Sequence, residues 1–198
     1  LSDLAARVLP VGRFDWASLR SHETLRREIA PKTFVVSDQA IDFTKSRQYT
    51  FFDGPVTTHV SFADPYCPTM REVAIREGRR LGIPLRETGT VVVIEGPRFS
   101  TRAESCWLRG LGGDVVNMTV YPECHLAREL ELCYANVSMV TDYDVGVTGH
   151  EPASADRVVE VFDANLERLQ ELLVAIVPRV GAPSADDPCS AALRGARL

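Results

Sequence analysis

The chain has 198 residues, 45% hydrophobic and 25% charged, the balance of an ordinary globular domain with room for a sizeable core. A formal charge of −5 excludes the positive field that nucleic acid or an anionic membrane surface requires of a partner. No apolar run approaches the roughly 20 residues needed to span a bilayer, and residues 1–13 are too mixed for a signal peptide, so a single cytoplasmic domain over residues 1–198 is expected.

The predicted elements alternate between strand and helix. Residues 33–37 (TFVVS) form a short β-branched run. Residues 68–81 (PTMREVAIREGRRL) open on a proline where a helix tolerates one and are followed by Gly82, a C-cap signal. Residues 90–94 (TVVVI) are strongly β-branched and break at Gly96-Pro97. Residues 101–111 and 122–132 read as helices, with strands at 114–118 and 133–140 beside them. Last, residues 154–177 carry a helical stripe of Val158, Phe162, Leu166, Leu169, Leu173 and Ile176 that ends at Pro178. Continuous apolar strands are buried on both faces, which gives a three-layer α/β/α domain.

Open α/β sheets gather ligands at the carboxyl ends of their strands. After TVVVI comes EGPRFSTR, after DVVN comes MTVYPE, and after YANVSMV comes TDYD, so three polar clusters are expected to meet at one edge. They supply an aromatic face (Phe99), hydroxyls (Ser100, Thr119), a thioether (Met118), an amide (Asn117), a guanidinium (Arg98) and carboxylates (Glu95, Glu123, Asp142, Asp144). That set suits a planar heterocycle bearing a sugar, because rings stack on aromatics while hydroxyls and exocyclic amines donate to carboxylates. Two acids separated only by Tyr143 repel one another unless a ligand draws on both. The five cysteines are scattered and lack any CxxC spacing, so they predict small buried hydrophobes, with no disulfide framework and no metal site. Cys124 and His125, adjacent on a helix, point about 100° apart and are poorly placed to share an ion.

TFFDG at 50–54, HVSFADPYCPTMRE at 59–72, GTVVVIEGPRFSTRAES at 89–105, GGDVVNMTVYPE at 112–123 and TDYD at 141–144 together resemble the methylthioadenosine phosphorylases of the purine nucleoside phosphorylase superfamily, in that family's order. The resemblance covers residues 23–178. It implies a mixed-sheet phosphorylase fold and phosphorolysis of a methylthioadenosine-type nucleoside, with inorganic phosphate as co-substrate and no metal or organic cofactor. By the same resemblance Asp142 assists protonation at purine N7 and Asp144 accepts from the 6-amino group. Phe99 stacks on the base, Ser100 lines its edge, Met118 lies against the ribose and Asn117 supports that loop. Thr119 binds phosphate, and Ala155 and Val158 line the 5′-alkylthio pocket. His59 reaches a neighbouring subunit's site, which implies a homotrimer. Arg98 and Arg102 have no assigned role, and Glu123 lies behind the site.

The family's Gly-rich loop and Arg-His-Gly segment, which grip phosphate, are not found in this sequence. LSDLAARVL resembles the stretch after that loop, and DWASLRSH a helix further downstream, so the N-terminal part is expected to be incomplete. Two other readings stay open: a silent purine-binding or assembly subunit, and a phosphorylase for methylthioinosine or other purine nucleosides.

Overall fold

The computed structural model describes residues 16–145, 147, 149, 155–180 and 187–197. In chain order it comprises strands β1 (Trp16–Thr24), β2 (Phe34–Val36) and β3 (Gln39–Phe43), helix α1 (Pro68–Arg80), β4 (Leu85–Arg86), β5 (Thr90–Ile94), α2 (Arg102–Gly110), β6 (Val115–Asn117), α3 (Val120–Glu129), β7 (Tyr134–Tyr143) and α4 (Ala155–Ile176). Short 3-10 turns follow at Val177–Arg179 and Pro188–Ala191.

One mixed sheet carries all seven strands in the order β3-β5-β6-β1-β7-β2-β4. Its central strands are apolar on both faces because both faces are covered. Val91, Val92 and Val93 are all fully buried, as are Phe34, Val35 and Val36. Each such side chain contributes about 2 kcal/mol by leaving water. On one face Val120, Cys124 and Ala127 of α3 pack on Val35, Val91, Val93, Val115 and Val140. On the other, Val73 and Ala74 of α1 and Leu169 and Leu172 of α4 pack on Phe34, Val36, Val137 and Met139, while Leu108 of α2 meets Val92 and Val116. The three-layer expectation holds.

The predicted helices appear within one to three residues of their expected bounds. Gly82 follows α1 with φ +66°, the left-handed conformation that lets glycine close a helix. Residues 16–24 differ from expectation. DWASLRSH, read as helical, lies almost wholly in β1, whose backbone pairs parallel with β7 and antiparallel with β6. Pairing on both sides overrides the local preference of a polar segment. LSDLAARVL lies outside the described residues.

Candidate active site

β7 runs on through the acids rather than stopping at Val140. Asp142 lies in the strand and Asp144 directly beyond it, and they are only 3% and 1% exposed. A buried carboxylate is costly unless hydrogen-bonded. Asp142 Oδ1 accepts from the Thr141 hydroxyl at 2.9 Å, and Asp144 Oδ1 accepts from the Val145 N–H at 2.8 Å. Asp144 is fixed further by its own N–H, which donates to Thr24 O at 3.0 Å.

A third carboxyl completes the cluster. The β1–β7 register slips at His22/Glu23, so that His22 faces Val140 but Glu23 faces Asp142, and the Thr141 hydroxyl oxygen lies 3.1 Å from His22 O at the slip. Glu23 is pushed up to about 9, first by burial, then by the charges of Asp142 and Asp144 and by its hydrogen bond with Asp144. It is therefore a neutral acid at neutral pH, beside the two aspartates. Sequence reasoning missed Glu23, which sits in the polar run SHETLRRE and carries no local signal.

The three polar clusters do not share a strand edge as expected. β5 and β6 run parallel to each other but opposite to β1 and β7, so their carboxyl ends point the opposite way to that of β7. The clusters are joined laterally instead. Glu23 faces Val116 on one side and Asp142 on the other, which sets the acids level with the end of β6. Arg102 Nη1 donates to Val145 O at 2.9 Å, drawing the start of α2 to the residue after Asp144. That bond gives Arg102 the role the sequence left unassigned.

The loop after β5 is shaped by its own contacts. Thr101 caps α2 in a reciprocal box, accepting from Glu104 N–H at 3.2 Å while its N–H donates to Glu104 Oε2 at 2.7 Å. Arg98 grips both oxygens of the same Glu104 at 2.8 and 2.7 Å, and these bonds hold the Glu104 carboxyl down at about 2. Between them Phe99 is half-buried and Ser100 is buried, its hydroxyl without a partner among the described residues. An unpartnered buried hydroxyl costs free energy that a polar ligand edge would recover.

Arg47, also missed in the sequence, clamps this loop to the next. Its guanidinium donates to Glu95 O at 2.8 Å, Met118 O at 3.0 Å and Tyr121 O at 2.8 Å. Gly96 has φ +71°, and a Cβ there would lie 2.5 Å from Met118 Sδ, so glycine is required for the half-buried thioether to sit over this turn. Asn117 is buried and braces Thr119 from both sides, donating to Thr119 Oγ1 and accepting from Thr119 N–H, each at 3.4 Å. Thr119 directly precedes α3, whose backbone leaves the helical conformation at Tyr121 (φ −93°, ψ 136°) before the helix continues from Pro122. Glu123 accepts from the Tyr134 hydroxyl at 3.1 Å, behind this loop.

Other expected residues lie apart. His59 is exposed, its N–H donates to Ala196 O at 2.7 Å, and it lines a cavity of about 670 Å³ with Asp38, Tyr66, Arg71, Arg128 and Cys189. Glu23, Asp142 and Asp144 do not line that cavity. Val158 is half-buried in the first turn of α4; Ala155 begins that helix, and its side chain lies outside the described residues.

A model of the phosphorylase superfamily matches residues 24–178, beginning one residue after Glu23. S-methyl-5′-thioadenosine phosphorylase of Thermofilum pendens is 50% identical over 157 residues, which is 79% of this chain and 59% of the relative. Purine nucleoside phosphorylase of Streptomyces coelicolor is 48% identical over 182 residues, 86% of this chain and 64% of the relative. Among solved structures, methylthioadenosine phosphorylase from Schistosoma mansoni in complex with adenine superposes with a TM-score of 0.86 at 31% identity, over 92% of this chain and 72% of that one. The chain thus spans about 60% of the length of the curated relatives it matches. With the mixed sheet, the buried acid cluster and a match over residues 24–178, the chain belongs to the phosphorylase superfamily.

Proposed function

We propose that the protein catalyses phosphorolysis of S-methyl-5′-thioadenosine to adenine and 5-methylthioribose 1-phosphate. In this reaction a phosphate oxygen bonds to C1′ as the N9–C1′ bond breaks, and the bonding electron pair leaves with the base. Asp142 supports that departure by sharing a proton at N7, and Asp144 accepts from the 6-amino group. Phe99 stacks on the ring and Ser100 meets its edge. Met118 lies against the ribose on the loop braced by Asn117. Thr119, at the start of α3, takes the phosphate. Ala155 and Val158 suit a methylthio group by their small apolar side chains, and His59 serves the site of a neighbouring copy in a trimer. The working unit is a cytoplasmic homotrimer that acts on free nucleoside and phosphate, without an organic cofactor and without nucleic acid or membrane as partner. Among the described residues no helix is long and apolar enough to cross a membrane.

The observation that carries this reading is the pair of almost fully buried carboxyls at the end of β7, held beside a third carboxyl, Glu23, whose own pKa their charges help to raise. A second reading, phosphorolysis of a 6-oxo purine nucleoside, is favoured by Glu23, since a neutral acid can donate to a carbonyl, and by the similarity to the Streptomyces coelicolor enzyme. The test is base release from S-methyl-5′-thioadenosine and from inosine, with and without phosphate. Phosphate-dependent release of adenine is expected. Faster release of hypoxanthine supports the second reading. Adenine binding with no turnover of either substrate identifies a purine-binding subunit and contradicts both.

A further inference from the structure

Three of the five cysteines, distant in sequence, converge away from the acid cluster. Cys67 precedes α1 as its N-cap, Cys133 immediately precedes β7, and Cys189 lies in the 3-10 turn near the C-terminus. The Cys67 N–H donates to Tyr134 O at 2.8 Å, which brings the first two together. Asp187 joins them: its Oδ2 lies 3.6 Å from Cys67 Sγ. The three sulfurs and one carboxylate oxygen lie within 4.8 Å of one another, and all four residues are buried.

We propose that Cys67, Cys133, Cys189 and Asp187 form a structural site for one tetrahedral divalent ion of the zinc type, fastening the C-terminal segment to the sheet. Three sulfur ligands and one oxygen suit a borderline-soft ion that accepts four-coordination. Zinc–sulfur bonds of about 2.3 Å place tetrahedral ligands about 3.8 Å apart, so the cluster closes by no more than about 1 Å on binding. Binding displaces the thiol protons to solvent as the sulfurs become thiolates.

The surroundings are those of a metal site rather than of a plain apolar core. Thr69 Oγ1 donates to Asp187 Oδ2 at 3.2 Å and Cys189 N–H donates to Asp187 Oδ1 at 3.0 Å, which orients the carboxylate. Cys189 also lines the 670 Å³ cavity with Pro68 and Pro188, and this cavity supplies a path for the ion. Spacing hid the site from sequence reasoning, because its ligands come from three elements far apart in the chain.

The test is metal content of the full chain, purified under reducing conditions, exposed to Zn²⁺ or Co²⁺ and freed of excess metal. About one ion per chain is expected, and Co²⁺ should show the intense visible bands of a tetrahedral thiolate site. Cys133→Ser, Cys189→Ser and Asp187→Asn should each weaken zinc binding at least about tenfold, and Thr69→Val about tenfold through the carboxylate it orients. Cys106→Ser, at an exposed cysteine outside the cluster, should change nothing. Where a ligand variant fails to fold, Thr69→Val and the cobalt spectrum of the unaltered protein still decide. Absence of bound metal in folded, fully reduced protein overturns the proposal, as does an intact mass showing two of these cysteines oxidised to a disulfide.

Discussion

Replacing Asp142 by asparagine separates the chemical role of this carboxyl from its packing. The Thr141 hydroxyl that donates to Asp142 Oδ1 at 2.9 Å still finds an amide oxygen of the same size, so the fold should survive. What changes is the group offered to the base. An amide cannot share a proton at N7, and general acid–base assistance contributes about 10²–10⁴-fold to such reactions. The amide nitrogen can also reach a 6-oxo group beside N7, whereas beside a 6-amino group it adds a second donor to an edge where Asp144 is then the one acceptor, in a site only 3% exposed, at a cost of about 1–3 kcal/mol. We expect kcat/KM for S-methyl-5′-thioadenosine to fall at least about 100-fold. The preference for 6-amino over 6-oxo substrate should fall about 10–100-fold, equivalent to about 1.4–2.8 kcal/mol. The assay is initial-rate base release from S-methyl-5′-thioadenosine and methylthioinosine by both proteins. Equal losses on the two substrates, with the fold intact by circular dichroism, would refute the assignment of Asp142 to the base edge.

Three further outcomes follow from the same geometry. The Glu23 carboxyl is raised from 4.5 to about 9, so its folded state favours the protonated form; the stabilisation is complete below pH 4.5 and is lost as pH rises towards 9. Thermal unfolding should therefore show a midpoint that declines between pH 5 and 9 by up to about 1.4 kcal/mol per pH unit, or about 3–5 °C, and Glu23→Gln should flatten that decline. Arg47→Ala removes a guanidinium that holds three carbonyls on two site loops and should lower kcat/KM by about tenfold or more, mainly through KM, measured by steady-state kinetics. Gly96→Ala forces a side chain into a φ of +71° and against Met118 Sδ; it should cost about 1–2 kcal/mol in chemical denaturation and weaken nucleoside binding in equilibrium titration.

Much of the core was legible in the chain, because TVVVI and YANVSMV are buried on both faces and their branched side chains mark them as strands. The strands missed are the ones whose sequence does not carry their burial. QAIDF in β3 is a half-exposed edge strand, and LR in β4 is too short to have a period. Trp16–Thr24 reads as polar, and backbone pairing with β6 and β7 makes it a strand. Asp142 and Asp144 stood out because two acids ending an apolar run need a reason. Glu23 and Arg47 lack such local contrast, and only the fold shows that one lies beside the acids while the other bridges two loops. The expectation of a common carboxyl edge failed because it assumed parallel strands, whereas β1 and β7 run against β5 and β6.

The central claim, that the buried acids at the end of β7 grip the amine-bearing edge of a purine, is tested most directly by calorimetric titration of the protein with adenine and with hypoxanthine. The account predicts that adenine binds at least about tenfold more tightly than hypoxanthine, and that Asp142→Asn combined with Asp144→Asn abolishes this difference. Equal affinity for the two bases, or an adenine affinity unchanged in the double variant, would contradict it.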